Sequence, residues 1–297
     1  MIIKEYRIIL PISMEEYPIA HSYTTTAVIR QDLALGDDIE ISKSEPVTNI
    51  RLPDGKRTSG HFVHKVYHLR RQVPKWAKVL APKELLVLHE KTWNAFPYSR
   101  TEFSNPEFLK EKLSLRLDSI CAPDRGTSEN IHCLTPAELA QREIIYLDIA
   151  GEQIPRKEYK AECDPKIYRS TRTGRGPLVG DWQHSVSPVM CCYKLMTMDF
   201  KWLGLQDKVE KYAYEAERKV FCQFYRQMFC WIDQWYGLTQ ADVRAMEEDT
   251  CRQSCSRANR PQGLFGSKSA VLLPARAARL VPESKSLSLP LDPSTGF

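Results

Sequence analysis

Two lysines stand on strand-like segments whose other same-face residues are mostly apolar, and their chemistry sets the first constraint on function. In His61-Phe62-Val63-His64-Lys65-Val66-Tyr67, alternation places Val63, Lys65 and Tyr67 on one face. In Tyr193-Lys194-Leu195-Met196-Thr197-Met198-Asp199-Phe200 it groups Lys194 with Met196, Met198 and Phe200. An ammonium group buried alone costs several kcal/mol or loses its proton, so these faces imply an enclosed anionic partner. Other reactive-looking groups support less. His61, His64 and His68 resemble a metal cluster, but on a strand only His64 and His68 share a face and no carboxylate lies between them, so no metal is expected. Cys191-Cys192 are neighbours pointing to opposite sides, and Glu247-Glu248-Asp249 by itself is an ordinary solvated face. Gly174-Arg175-Gly176 lacks the GxxxxGK[ST] phosphate-loop pattern and shapes a turn. Spacing brings no Ser-His-Asp or paired-carboxylate set together, so there is no case for an enzyme.

The elements that must position the lysines divide the chain. Residues 1–200 read as strands and loops, with alternation at Lys4 to Leu10, Ile39 to Ile41, His61 to Leu69, Leu85 to Leu88, Leu113 to Ser119, Ile144 to Ile149 and Tyr193 to Phe200. Leu52-Pro53-Asp54-Gly55 and Thr173-Gly174-Arg175-Gly176-Pro177 are turns, and Thr135-Pro136-Ala137-Glu138-Leu139 starts a short helix. From Leu205 the period changes. Leu205, Val209, Tyr212, Ala216, Val220, Phe224, Met228, Ile232 and Trp235 predict one long amphipathic helix ending at Gly237. Thr239 and Asp242 form a capping pair for a second helix that frays near Cys251. Residues 252–297, rich in Ser, Pro, Arg and Lys, read as a disordered tail. A curved sheet wrapped on a long aromatic helix can enclose a lipid-sized cavity.

Composition bounds the partners. The 297 residues are 42% hydrophobic, enough for a sizeable core, and no apolar run approaches the ~20 residues of a membrane span. The N-terminus meets charge after three residues, unlike a secretory signal, and nine scattered cysteines without a CxxC pair read as free thiols. Both point to a cytoplasmic protein. The net charge of +5 is spread out, suiting an anionic membrane surface better than nucleic acid, which is not expected as a partner.

The strongest pointer is a set of colinear segments: Lys4-Glu5-Tyr6-Arg7, His64-Lys65-Val66-Tyr67-His68-Leu69, Trp93-Asn94-Ala95-Phe96-Pro97-Tyr98, Tyr159-Lys160-Ala161-Glu162, Asp164-Pro165, Thr173-Gly174-Arg175-Gly176-Pro177-Leu178 and Lys201-Trp202-Leu203-Gly204-Leu205-Gln206. Over about Met1 to Arg252 the chain resembles the phosphatidylinositol transfer proteins. The resemblance implies an α+β helix-grip (START-like) fold over residues 1–251, with a large curved antiparallel sheet wrapped on long helices around a lipid cavity. It implies no cofactor beyond the bound phospholipid.

Carried onto matching positions, the family's inositol contacts fall on Lys65, Asn94 and Glu248, and its phosphate contacts on Lys194, Thr101 and Ser119. Three positions depart from the family. Val63 replaces a threonine hydroxyl for the inositol ring, and a hydrogen bond lost in a dry pocket costs ~1 kcal/mol. His21 replaces a glutamine near the phosphate and still offers a donor. Ser99 replaces the pocket cysteine at the choline end. Phosphatidylcholine therefore competes with phosphatidylinositol for the cavity. The family's tryptophan pair for membrane docking becomes Trp202-Leu203, and Ser170, flanked by Arg169 and Arg172, matches a regulatory serine. The expected function is exchange of one phospholipid at a time between membranes, in support of phosphoinositide signalling. It involves transient peripheral membrane association, with lipid kinases as candidate partners. The alternative is a lipid-binding module that senses or presents its lipid without net transfer, preferring phosphatidylcholine because of Val63.

Overall fold

Alternating side chains build one sheet. The structure, a computed structural model, describes residues 2–34, 39–68, 83–156, 158–201 and 206–258. Its strands are β1 (Ile2–Leu10), β2 (Ile39–Arg51), β3 (Arg57–His68), β4 (Val87–Ala95), β5 (Tyr98–Ser104), β6 (Leu113–Ala122), β7 (Arg142–Tyr146) and β8 (Met190–Phe200). They lie in the order β2-β3-β4-β5-β6-β8-β1-β7. Every pairing is antiparallel except that of β1 with edge strand β7. Central strand β8 is buried along its length save for half-covered Thr197 and Asp199, as expected of a strand covered on both faces.

One face carries helices α1 (Tyr17–Ala34), α4 (Gln206–Cys230) and α6 (Gln240–Ala258). Short helices α2 (Pro136–Gln141), α3 (Trp182–Ser185) and α5 (Ile232–Trp235) complete the set. Helix α4 seats on β1 and β8. Tyr6 stacks edge-on against Phe221 with ring centroids 5.3 Å apart, and the Tyr6 hydroxyl donates to the Tyr214 carbonyl at 3.3 Å. Helix α1 joins α4 through the Tyr17 and Tyr225 hydroxyls, 3.1 Å apart. Helix α6 straps across α1 and β2. Arg30 donates to the Thr250 hydroxyl at 2.7 Å, the Met246 carbonyl at 3.1 Å and the Asp249 carboxylate at 2.8 Å, and the Ser254 hydroxyl donates to the Ile39 carbonyl at 2.6 Å.

On the opposite face of β1, the buried Glu5 carboxylate accepts from Arg7 Nε and Arg142 Nη1, each at 2.8 Å, tying β1 to edge strand β7. Gly60 on β3 allows a close approach. A Cβ there would lie 2.2 Å from the Asn94 carbonyl, so only glycine lets the end of β4 settle at this height.

The large, mainly antiparallel sheet over long helices is the expected α+β architecture, with five differences in detail. Helix α1 escapes the periodicity reading because Ser22-Tyr23-Thr24-Thr25-Thr26 interrupts its apolar pattern with hydroxyls and β-branched residues. The segment expected as a strand at Leu85 to Leu88 begins as a 3₁₀ turn, Lys83–Leu86. The β4–β5 hairpin follows, its polar inward residues hiding it from a hydrophobic pattern. The single long helix breaks at Trp231 into α4 and α5. The last helix does not fray near Cys251 but continues to Ala258, held by the Arg30 and Ser254 bonds. Residues 259–297, most of the expected tail, lie outside the described residues.

Because Arg30 alone makes three bonds to α6, Arg30→Ala should speed amide exchange throughout α6 by at least tenfold while leaving β6 and β8 protected. Hydrogen exchange read by mass spectrometry checks this, and unchanged α6 protection would show that the helix is held elsewhere.

Candidate ligand-binding site

Strand register gathers the residues singled out in the sequence. One cross-strand row on the helix-covered face reads His61, Asn94, Ser99, Ser119, Lys194, Tyr6. The next reads Val63, Thr92, Thr101, Leu117, Met196, Lys4, and Lys65 heads a third with Glu90, Phe103, Leu115 and Met198. Seven expected site residues from five strands thus share one face within three adjacent rows.

From β3 to β8 is four strand spacings of ~4.8 Å, or about 19 Å along the sheet. Curvature shortens that path across the interior. His21, projecting from α1, feels the charge of both Lys65 and Lys194, and Glu217 on α4 feels both Lys194 and Glu90. The two lysine ends of the sheet therefore act on common helix residues.

The two lysines differ in how they are satisfied. Lys65 meets an anion supplied by the chain: its Nζ donates to Glu90 Oε1 at 2.8 Å, while the buried Tyr67 hydroxyl donates to Glu90 Oε2 at 2.7 Å. Thr92 extends this cluster to Thr101, their hydroxyls 3.1 Å apart. Lys194, only 7% exposed, donates to the Ser119 hydroxyl at 3.1 Å, with its Nζ 5.0 Å from the Phe221 ring centroid and 5.7 Å from that of Tyr225. No carboxylate among the described residues forms an ion pair with it.

Glu217 is the nearby acid that does not pair. It is 5% exposed, and its Oε2 has no hydrogen-bond partner. Burial, opposed by Lys194 and reinforced by Glu90, pushes its carboxyl up to about 8, so it holds its proton at neutral pH. His21, between the Tyr17 and Phe224 rings, is pushed down to about 3 by burial and by Lys194 and Lys65, which keeps its imidazole neutral. With Lys65 matched by Glu90, and with His21 and Glu217 neutral, the interior presents Lys194 as a cation without a carboxylate counter-ion beside two hydroxyl-bearing strands. A singly charged, hydrogen-bond-accepting group meets that need.

The sequence missed Glu90, Thr92 and Glu217. The rule that exposed the lysines would have found them: Glu90 alternates with Leu88 and Thr92, and Glu217 sits four residues before Phe221 on the apolar stripe of α4. Other expected residues lie elsewhere. Asn94, at the hairpin end of β4, and Glu248, on α6, are exposed, and neither hydrogen-bonds another site residue. Ser99 is opposite both Asn94 and Ser119. Trp202 and Leu203 lie outside the described residues. Ser170 is 2% exposed and donates to Asp233, whose carboxylate also accepts from the Thr171 amide at 2.9 Å and the Arg172 amide at 3.1 Å. His64 contacts His89, ring nitrogens 3.0 Å apart, and among the described residues no group of three or more His, Cys, Asp or Glu is arranged to hold a metal.

The family model described as phosphatidylinositol transfer protein matches residues 1–252. The chain belongs to this family. It is 40% identical over 259 residues to the phosphatidylinositol transfer protein beta isoform of Homo sapiens, covering 85% of this chain and 93% of that one, with the same values for the Rattus norvegicus protein. It is also 39% identical over 262 residues to membrane-associated phosphatidylinositol transfer protein 1 of Mus musculus, of which the match covers 20%. No described helix is long and apolar enough to cross a membrane.

Two outcomes follow from the interior charges. Glu90→Gln strips Lys65 of its partner and should lower unfolding free energy by about 3 kcal/mol in urea titration, whereas removing both partners together should cost less than the two single changes added. Glu217→Gln should raise the Tm of lipid-free protein by a few degrees above pH 8 and by nothing at pH 4.5. The folded-state carboxyl titrates near 8 and the unfolded one near 4.5, so stability falls as pH rises through that window and glutamine escapes the loss. A pH-independent difference in Tm would mean that Glu217 is ionised in the fold.

Proposed function

We propose that the chain is a phospholipid carrier that takes one phosphatidylinositol or phosphatidylcholine molecule into the interior between the sheet and α1, α4 and α6 and exchanges it between membranes, in support of phosphoinositide signalling. The observation that carries this reading is Lys194. It is a buried cation bonded to Ser119 with no carboxylate counter-ion, facing a carboxyl that burial keeps protonated. A phosphodiester brings one negative charge and several acceptor oxygens. In this reading Lys194, Ser119 and Thr101 receive the phosphate, with the neutral His21 offering a further donor from α1. Protonated Glu217 can donate to the same oxygens.

The inositol ring belongs beside Lys65, which Glu90 and Tyr67 hold at the other end of the interior, with Asn94 and Glu248 closing on ring hydroxyls when the lipid is seated. Val63 stands opposite Thr92 and offers the ring no hydrogen bond of its own. Ser99, in the same cross-strand row as Lys194, lies at the choline end of phosphatidylcholine. Nothing in this chemistry makes or breaks a bond. Exchange requires the covering helices to loosen at a membrane surface, where Trp202 and Leu203 are the docking residues. Delivery to lipid kinases fits the role. Modification at Ser170 would require its loop to leave Asp233 first.

Lys194→Ala should reduce transfer of both phospholipids at least tenfold, because a lost charge-assisted hydrogen bond is worth about 1.5–3 kcal/mol. Lys65→Ala should reduce only phosphatidylinositol transfer. Vesicle-to-vesicle transfer of labelled lipids separates the two subsites. Equal loss of both lipids in Lys65→Ala would place that residue outside a headgroup-specific role.

A further inference from the structure

A pair of thiols lies next to the proposed phosphate position, and lipid binding makes no use of it. Cys121 on β6 and Cys192 on β8 are directly opposite in the antiparallel ladder, two residues along from Ser119 and Lys194 and on the same face. Their sulfurs are 3.8 Å apart, and the residues are 6% and 0% exposed. Opposed residues on antiparallel strands have Cα atoms about 4.5 or 5.5 Å apart, and both separations lie within the about 4.4–6.8 Å that a disulfide spans. Side-chain rotation alone can therefore join the sulfurs.

The neighbours favour reaction at one sulfur. The Tyr225 hydroxyl donates to Cys192 Sγ at 3.2 Å, and the Tyr17 hydroxyl lies 3.5 Å from the same atom. Burial pushes the Cys192 thiol up, but hydrogen bonds from Cys121, Tyr225 and Tyr17, together with the Lys194 ammonium, outweigh it and lower the group below an ordinary thiol. Cys121 is pushed the other way, by burial and by its bond to Cys192. One sulfur has thiolate character and the other keeps its proton, the division of labour between an attacking and a resolving cysteine. Adjacent Cys191 faces the other side of the sheet, near Gly126, and takes no part.

We propose that Cys121 and Cys192 are a reversible oxidation site, a cross-strand dithiol that a peroxide converts to a disulfide inside the lipid cavity. The Cys192 thiolate attacks one peroxide oxygen. The O–O bond breaks, the leaving hydroxide takes up a proton from solvent as water, and Cys192 becomes a sulfenic acid. The Cys121 sulfur then attacks Cys192 Sγ and expels hydroxide, which takes up the Cys121 proton as water. The two sulfurs lose two electrons to the peroxide, which is reduced to two waters, and an added dithiol restores the pair. The bond would sit two residues from Lys194, at the point where β8 meets both α1 and α4.

The test uses the full chain with Cys191→Ala, so that one cysteine remains at the Met190–Lys194 stretch. The reduced protein is treated with graded hydrogen peroxide, alkylated under denaturing conditions, digested without reduction and read by mass spectrometry. The expected product is the Cys121 peptide joined to the Cys192 peptide, two hydrogens lighter than the separate peptides and released by dithiothreitol. Cys121→Ser should instead leave a Cys192 sulfenic acid that dimedone traps. Recovery of both residues as alkylated thiols at doses that oxidise exposed Cys133 would overturn the proposal. So would separate sulfinic acids, or a link from Cys192 to any other cysteine.

Discussion

A buried ammonium group must find negative charge or strong acceptors, and the arrangement of this interior follows from how that need is met at two places. At Lys65 the chain supplies the answer itself, through Glu90 and the tyrosine that orients it. At Lys194 it supplies only a serine hydroxyl and aromatic faces, and the acid within electrostatic range is held neutral by burial. Cation–π contacts ease the desolvation of Lys194 but leave it without a carboxylate partner. A site left in this condition is ready for an anion of single charge.

The sheet and helices are the means of keeping that charge in place. Register fixes which residues share a row, and a one-residue slip of β8 would turn Lys194 away from Ser119 to the opposite face. Helix α4 covers the rows with Phe221 and Tyr225, and α1 brings His21 to the same interior. Helix α6, anchored by Arg30 and Ser254, closes over α1 and β2. Its hydrogen bonds to Arg30 include a partly exposed ion pair with Asp249, which water can compete for.

The fold was legible where burial acts on a regular period. Alternation in β1, β3 and β8 and the heptad-like stripe of α4 come directly from the side chains that must meet the core. The β4–β5 hairpin and α1 were not legible because their inward residues include polar ones that serve the site: Glu90, Thr92, Ser99 and Thr101 on the strands, and His21 on the helix. The same residues that make the site therefore hide the elements that carry it. Lys65 and Lys194 could be found without any relative, as charges on apolar faces. Asn94 and Glu248 could not, since each is an exposed polar residue whose proposed role depends on a ligand and on family resemblance.

The most direct test of the account is native mass spectrometry of the purified chain, followed by extraction and identification of what it holds. The account predicts one phospholipid per chain, phosphatidylinositol or phosphatidylcholine, and its loss in Lys194→Ala protein that remains folded by circular dichroism. A chain that purifies empty and stays empty after incubation with vesicles of both lipids would contradict it, as would one that keeps its phospholipid without Lys194.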